Sequence, residues 1–500
     1  MAYLKKMLSP ITILMMVIGL AAIATWLLPA GKYDTLTYQE SGSFLLNKSG
    51  TESTLILSQK TLDSLKINIS LEKYVNGDIR KPVSVPGSYH KLKSNTQNVI
   101  NVIEAPLKGI YDSIDIIVFL FLIGGFINVF YASGAMEKGL IYLSYKMQGK
   151  EAWLIIILSF LFSFGGSSFG MAEESLVFYP VLVPLFLAAG YDLLVPVAVI
   201  FAGNQIGFMS SFLNPFSTII ASNAAGINWT DGLYGRLLMF VLATAILIWY
   251  IVKYAQKVKK NPELSLVFKY DGIVKPPYPV GVNTANQIEK PDSRSKILLL
   301  LFLFTFLILI AGVIVLKWWF LEMSTLFLVS AIIMAIVQRM DEKTFIDTFI
   351  KGAESMLGVA LIIGVARGVT IVLNDGNITD SILYYASSAV SQMPASLFIV
   401  TLLFIFCVFT IFISSSSGMA VVTMPILGSL AIVAGVPGRE IVNSYLFGMG
   451  IMGLLTPTGL LLPSLALVNV SLKTWFKFIW PLMIILFVVS AIFLIIGIRI

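Results

Sequence analysis

The amino-acid sequence predicts an all-α polytopic membrane protein. Of its 500 residues, 57% are hydrophobic and only 12% are charged, and the mean hydropathy is +0.88. Soluble domains carry about 25% charged residues. Apolar runs long enough to cross a hydrocarbon core of about 30 Å recur along the chain. Because backbone groups in lipid must satisfy their own hydrogen bonds, and the runs lack the short alternation of a β-barrel, they are predicted to form helices.

Charges in the loops predict the orientation and the division into domains. The first span is predicted within 1–30, where Lys5 and Lys6 precede the apolar run and favour a cytoplasmic N-terminus in the plasma (inner) membrane. The polar segment 31–110 is then extracytoplasmic, and its alternating residues predict a small strand-rich cap. The lysine-rich linker 253–296 is cytoplasmic by the positive-inside rule. The remaining segments are a first membrane repeat at 111–252, connecting spans at 297–345, and a second, inverted membrane repeat at 346–500.

The two membrane halves resemble each other in sequence. The stretch 107–144 aligns with 350–387, the motif SSFGMAEESLVFYP aligns with SSSSGMAVVTMP, and SFLNPFS aligns with GLLTPTG. The predicted spans start the first unit outside, at Lys108, and the second unit inside, at Lys351, so the repeats run in opposite senses. Inverted repeats with interrupted helices or re-entrant hairpins are typical of secondary transporters, which bind their solute between the repeats near the midplane.

Four stretches rich in glycine, serine and proline interrupt the apolar segments, at 165–170, 203–217, 413–418 and about 448–459. Non-helical backbone at membrane depth is tolerated only where it is buried in protein or lines a watery cavity. Each break exposes N–H groups that can face an anion and C=O groups that can face a cation. The alternative interpretation is that small residues merely permit close helix packing.

The breaks and the intramembrane charges supply the candidate binding residues. Hydroxyl and amide oxygens suit Na⁺, and they suit a carboxylate or amide of a substrate equally well. The predicted substrate-binding residues are Ser167, Ser168, Glu173, Glu174, Asn214, Arg367, Ser415, Ser416 and Thr456. The predicted residues for a coupling ion, Na⁺ or H⁺, are Glu173, Glu174, Asn204, Ser217 and Thr458. We expect no structural metal and no cofactor.

The charged candidates leave two questions open. Arg367 lies near the middle of a predicted span and needs a partner, since an unpaired charge there costs at least about 2.5 kcal/mol. It can clamp a substrate carboxylate or form an internal ion pair with Glu173 or Glu174. The two glutamates can carry a proton, bind a cation or accept a substrate amine. The second repeat has Val421 and Val422 in their place.

Other functional classes fit less well. The stretch GSSFG at 166–170 matches the G-x-S-x-G pattern of serine hydrolases, but the one histidine, His90, lies in the external segment and no base accompanies the serine. We therefore expect no enzyme. The net charge of +7 comes from loop residues, so it indicates membrane orientation and not a nucleic-acid partner. A channel is the main alternative, and a membrane receptor using residues 31–110 is a remote one.

The motifs GMAEESLVFYPVLVPLFLAAGYD, FAGNQIGFMSSFLNPFS and SSSSGMAVVTMPILGSLAIVAGVPGR resemble the YfcC-type branch of the anaerobic C4-dicarboxylate carrier family, within the ion-transporter superfamily. The resemblance covers nearly the whole chain. It implies a secondary transporter, ion-coupled or exchanging, in the lipid bilayer. The small charged organic solute would be an amino acid, including a basic one, or a C4-dicarboxylate. Fold relatives imply a homodimer with a scaffold and a moving transport domain.

Overall fold

The protein is described by a computed structural model. It describes residues 9–39, 42–48, 50–67, 69–75, 82–135, 138–139, 142, 150–168, 170–274, 278, 292–316, 318, 320–390, 393–433 and 436–499. Lys5 and Lys6, and residues 275–277 and 279–291 of the linker, lie outside these ranges.

The membrane part is helical. Eight of the described helices are long and apolar enough to cross a membrane, which confirms the prediction of a multi-pass helical membrane protein. The described helices are α1 (Pro10–Leu27), α2 (Gln59–Ser64), α3 (Leu71–Val75), α4 (Val99–Asp112), α5 (Ile114–Ala132), α6 (Glu151–Ser168), α7 (Tyr179–Ala188), α8 (Leu194–Val197), α9 (Gly203–Met209), α10 (Ile220–Ala224), α11 (Leu233–Lys260), α12 (Leu266–Asp271), α13 (Ser293–Val315), α14 (Phe320–Gln338), α15 (Glu342–Ser355), α16 (Leu357–Asp375), α17 (Thr379–Val390), α18 (Ala395–Phe412), α19 (Ser416–Val433), α20 (Gly438–Gly453), α21 (Leu461–Ala466) and α22 (Leu472–Gly497).

Short irregular helical turns connect several of these helices. Turns of 3₁₀-helix span Glu173–Phe178 before α7 and Pro262–Leu264 before α12. Wider π-helical turns span Ala198–Ala202 between α8 and α9, and Pro215–Ile219 before α10. Such turns accommodate residues that do not fit the regular helical hydrogen-bond pattern, and they are frequent at functional sites.

The segment between α1 and α4 contains the strands that its alternating residues predicted. They are β1 (Gly31–Lys32), β2 (Thr35–Gln39), β3 (Ser43–Lys48), β4 (Thr51–Ile56), β5 (Val83–Ser84) and β6 (His90–Lys91). The pairing is antiparallel, with β4-β3-β2-β5 in one sheet and β1-β6 in the other. Leu36, Phe44 and Val83 are buried between the sheet and its helices. This small domain docks on α17, where the Tyr33 backbone N–H donates to Asp380 Oδ2 over 3.0 Å.

Helices α6 and α7 form a re-entrant hairpin, in which the chain enters and leaves on the same side. Glu151, at the start of α6, forms a 2.8 Å ion pair with Lys259 at the end of α11. The same Lys259 ammonium lies 5.6 Å from the ring centroid of Tyr191, which follows α7. Both ends of the hairpin therefore meet one end of α11, and its tip, near Gly170, lies between them in sequence.

Helices α18 and α19 form the corresponding hairpin in the second half. Strand β5 of the small strand-containing domain packs against α19, and α18 follows α17, on which the same domain docks. The two ends of this hairpin that are far from its tip thus lie on the side of the small domain. The two hairpins approach from opposite sides, as inverted repeats require.

Corresponding helices of the two halves also pack antiparallel. A methyl group on Gly450 would lie 2.3 Å from Met209 Cβ, and one on Gly453 would lie 2.6 Å from Gln205 Nε2. The residue number rises along α20 while that of its partner falls along α9, so these equivalent helices run in opposite directions.

The long helices outside the hairpins cross at glycines in a reciprocal way. A methyl group on Gly109 of α4 would lie 2.2 Å from the Gly364 carbonyl oxygen of α16, and one on Gly352 of α15 would lie 2.2 Å from the Gly124 carbonyl oxygen of α5. Small residues at such crossings let helix backbones approach closely in membranes. Gly109 and Gly352 occupy matching positions in the sequence repeat, so the same crossing is built twice.

We expect Gly352→Ala to destabilise the fold by about 1–3 kcal/mol, because the added methyl group forces α5 and α15 apart. Thermal unfolding of the purified protein in detergent measures the effect. Gly358→Ala is the matched control, since a methyl group at Gly358 meets nothing within 4 Å and alanine favours helix by about 1 kcal/mol. Equal unfolding temperatures for the two variants would contradict this account of the crossing.

Candidate functional site

A cavity of about 350 Å³ lies where the helix breaks of both halves meet. Its lining residues come from α5, α14 and α16, from the hairpin tips, and from the breaks before α10 and α21. Its volume is in the range of sites that hold small organic molecules. Nine of the predicted residues line it: Glu173, Glu174, Asn204, Asn214, Arg367, Ser415, Ser416, Thr456 and Thr458.

The tip of the first hairpin brings the two glutamates to the cavity. Gly170 adopts φ +79°, and a methyl group there would lie 2.7 Å from Asn214 Oδ1, so glycine is required both by conformation and by space. Glu173 and Glu174 begin the 3₁₀ turn that follows. The Glu174 Oε2 atom accepts a 2.8 Å hydrogen bond from the Ala172 backbone N–H.

Asn214 holds the first hairpin against the neighbouring broken helix. Its Nδ2 donates to the Gly166 carbonyl over 2.9 Å, and its Oδ1 accepts from the backbone N–H groups of Phe216 and Ser217 at 2.8 and 3.2 Å. One side chain therefore satisfies orphan backbone groups on both segments. Pro215 follows it at the first helical position, where its missing N–H carries little penalty.

The breaks of the second half interlock with those of the first. Ser416 Oγ donates to the Phe216 carbonyl over 3.3 Å, and Tyr445 Oη donates to the Ser416 carbonyl over 2.9 Å. Thr458 Oγ1 donates to the Ile411 carbonyl over 3.2 Å. These bonds bring the carbonyl-rich ends of interrupted helices to one place, which is the geometry that interrupted helices use to bind ions and polar solutes.

Three predicted residues do not line the cavity. Ser167 Oγ donates to the Ser210 carbonyl over 3.2 Å, so it joins the hairpin to the next break. Ser168 Oγ donates back to the Phe164 carbonyl over 2.6 Å, one helical turn earlier. Ser217 is fully buried in the π-helical turn and its Oγ has no partner among the described residues. The serines of the hairpin thus satisfy backbone at the break.

Arg367 is positioned by α16, and its nearest carboxylate is one that sequence reasoning did not include. Arg367 Nε is 3.7 Å from Asp112 Oδ2, at the end of α4. Among the described ion pairs, Arg367 joins neither Glu173 nor Glu174, so the predicted internal pair with them is not formed. The guanidinium Nη atoms have no partner among the described residues, and the side chain lines the cavity.

Sequence reasoning also missed much of the apolar wall. Trp318, in the loop between α13 and α14, lines the cavity with Phe320 and Met323 of α14. A methyl group on Gly312 would lie 2.2 Å from the Trp318 ring, so that glycine leaves room for the indole. Gln205 also lines the cavity, and its place next to Asn204 in the FAGNQIG motif was the available signal.

The charges around the cavity are unequal. Glu173 and Glu174 line it from the hairpin tip, and Arg367 lines it from α16, accompanied by Asp112. The carboxylates therefore outnumber the guanidinium. Aromatic and methionine side chains occupy much of the remaining wall and exclude water, which strengthens the interactions of these charges with a bound solute.

Interrupted helices around a charged intramembrane cavity define this chain as a membrane transporter, and not as an enzyme. It belongs to the C4-dicarboxylate anaerobic carrier family (DcuC), whose family model matches residues 7–499. An uncharacterized protein of Haemophilus influenzae is 37% identical over 492 residues, covering 98% of this chain and 96% of the relative. An Escherichia coli protein named "Putative basic amino acid antiporter YfcC" is 29% identical over 504 residues, covering 96% of this chain and 94% of the relative.

Two solved transporter structures align with nearly the whole chain. The Alcanivorax borkumensis YdaH transporter is 13% identical, covers 97% of each chain and has a TM-score of 0.39. The Neisseria gonorrhoeae MtrF efflux pump is 14% identical, covers 98% of this chain and 95% of the other, and has a TM-score of 0.40.

Ser414 lines the cavity. We expect the thiol of the variant Ser414→Cys to react with a water-soluble thiol reagent much faster than the thiol of Ser167→Cys. Ser167 is 0% exposed, and thiol reactivity requires access to water. The background is Cys407→Ala, which removes the native cysteine. Labelling rates measured by mass spectrometry give the comparison. Equal rates at the two positions would contradict the assignment of the cavity wall.

Proposed function

We propose that this protein is a secondary active transporter for amino acids that carry an amine as well as a carboxylate, with basic amino acids as the preferred class. The observation that carries the proposal is that groups of opposite charge line one cavity, Glu173 and Glu174 from the hairpin tip and Arg367 from α16. Such a site can bind the two ends of an amino acid at once.

The balance of charge favours an amino acid over a dicarboxylate. A dianion placed near Glu173 and Glu174 would be repelled by both, and Asp112 already takes part of the charge of Arg367. A basic amino acid adds a second positive group, which the paired glutamates can accept. The free Nη atoms of Arg367 would clamp its carboxylate.

The name of one relative supports the same substrate class, and the family description names the alternative substrate. The Escherichia coli relative is named as a basic amino acid antiporter, and it aligns over nearly the whole chain. The family description names C4-dicarboxylates. Between these, the two glutamates at the cavity are the reason to prefer the amino acid.

Transport would be driven by exchange or by a coupling ion, Na⁺ or H⁺. Asn204 is only 5% exposed, and its Oδ1 has no partner among the described residues. An unpaired buried oxygen beside the cavity is suited to a cation such as Na⁺, which prefers oxygen ligands. The glutamates are the alternative carriers, each able to hold a proton.

The proposed mechanism is alternating access in a homodimer, with the N-terminus in the cytoplasm of an inner-membrane protein. Helices α5, α14 and α16 would act as a scaffold against which the hairpins and broken helices move. The interlocking bonds between Ser416, Phe216 and Tyr445 support movement of the breaks as one unit. Accessibility of tagged termini in intact and opened cells tests the orientation, and cross-linking in membranes tests the dimer.

Arginine or lysine should raise the unfolding temperature of the purified protein, and succinate should not, because a ligand that binds the folded state stabilises it, and the stabilisation grows with the logarithm of ligand concentration over Kd. The screen is run with and without Na⁺ and at two pH values, so that the coupling ion shows as a change in ligand affinity. Uptake of labelled arginine into liposomes preloaded with arginine provides the transport measurement. Stabilisation by succinate alone, or a conductance that does not saturate, would overturn the proposal.

Arg367→Lys should raise the KM for amino-acid uptake roughly tenfold or more, because a charge-assisted hydrogen bond contributes about 1.5–3 kcal/mol and lysine cannot bind a carboxylate bidentately.

The double variant Glu173→Gln, Glu174→Gln should weaken the binding of basic amino acids more than the binding of neutral ones. Lys48→Gln, an exposed change in the small strand-containing domain, serves as the control. Unchanged selectivity in the double glutamine variant would count against the assigned amine site.

A further inference from the structure

A basic and aromatic patch lies outside the cavity, where the described part of the linker meets the start of α22. The ammonium groups of Lys269 and Lys473 lie 5.7 and 5.2 Å from the ring centroid of Tyr270. Both lysines are exposed, and neither is paired with a carboxylate among the described residues. Two like charges therefore contact one ring, and neither has a carboxylate partner among the described residues.

Hydrogen bonds hold this patch in place. The Asp271 carboxylate accepts from the Ser471 backbone N–H at 3.1 Å and from Thr474 Oγ1 at 2.8 Å. These bonds join α12 to the first turn of α22, and they engage both carboxylate oxygens of Asp271, the acidic group next to the patch in sequence. At the other end of α12, Ser265 Oγ donates to Asp192 Oδ2 over 2.6 Å. The convergence of the two lysines is thus part of the folded structure.

The surroundings of the patch are those of a membrane surface. Lys473 shares one exposed face of α22 with Phe476 and Trp480, which are 36% and 46% exposed and whose rings stack at 5.2 Å. Phe268, beside Lys269, is 53% exposed. Aromatic side chains of this kind collect at the boundary between headgroups and hydrocarbon. A ligand at the lysines would lie at headgroup depth, with its tails along α22.

We propose that Lys269 and Lys473 bind the phosphate of an anionic phospholipid headgroup, on the membrane side that the linker occupies. Each lysine near an anionic surface contributes to binding, so an anionic headgroup beside this patch is attracted by both ammonium groups. Tyr270 holds both cations by cation–π contact. Because Asp271 ties α12 to α22, such a lipid would clamp the linker to the second membrane half.

Native mass spectrometry of the full chain, released from vesicles of phosphatidylcholine with phosphatidylglycerol, tests the site. We expect retained phosphatidylglycerol on the natural chain and a roughly tenfold or greater loss in the double variant Lys269→Gln, Lys473→Gln. The matched control, Lys48→Gln with Lys60→Gln, removes the same charge from exposed positions of the small strand-containing domain and should retain the lipid. Tyr270→Phe should retain the lipid, whereas Tyr270→Leu should lose part of it.

Equal lipid retention in the double variant and its control would overturn the proposal. Displacement of phosphatidylglycerol by inorganic phosphate at comparable concentration would also overturn it, because the site would then recognise the free anion. Binding of solute to the cavity, followed as ligand-dependent unfolding temperature, should be the same in the double variant as in the natural chain. That measurement separates a failure to fold from a loss of the lipid site.

Discussion

The structure depends on one constraint, which is that backbone N–H and C=O groups freed inside a membrane must find partners. Each helix break satisfies this requirement with side chains or with backbone of another break. Asn214 serves three backbone groups on two segments, and Ser416 joins the second hairpin to the Phe216 carbonyl of the first half. Because several of these partners belong to another break, the breaks meet, and the cavity forms at their meeting point.

The symmetry of the backbone does not extend to the chemistry of the site. Gly109 and Gly352 make reciprocal crossings in the two halves, whereas Glu173 and Glu174 correspond to Val421 and Val422 in the sequence repeat. A symmetric frame can move between two equivalent arrangements. If the proposed solute binds there, the unequal charges of that frame would favour one orientation for it.

The fold was largely predictable because its signals are local or repeated. Apolar runs of sufficient length predict spans, and the paired Gly, Ser and Pro breaks predict interrupted helices. The site was only partly predictable. Asp112 resembled other acidic residues at the ends of spans, and its contact with Arg367 depends on how α4 crosses α16. Trp318 belongs to a connecting loop, and its place in the cavity depends on the packing of its ring against Gly312.

The GGSSFGMAEES stretch illustrates the division between sequence and structure. By itself, the sequence determined that the helix breaks there and that two carboxylates follow, because glycine and serine weaken a helix and charges in lipid require a reason. Only the tertiary structure decided that Ser167 and Ser168 bond to nearby backbone while Glu173 and Glu174 line the cavity. Hydrogen-bond partners at a break come from segments distant in sequence, so their identity depends on packing.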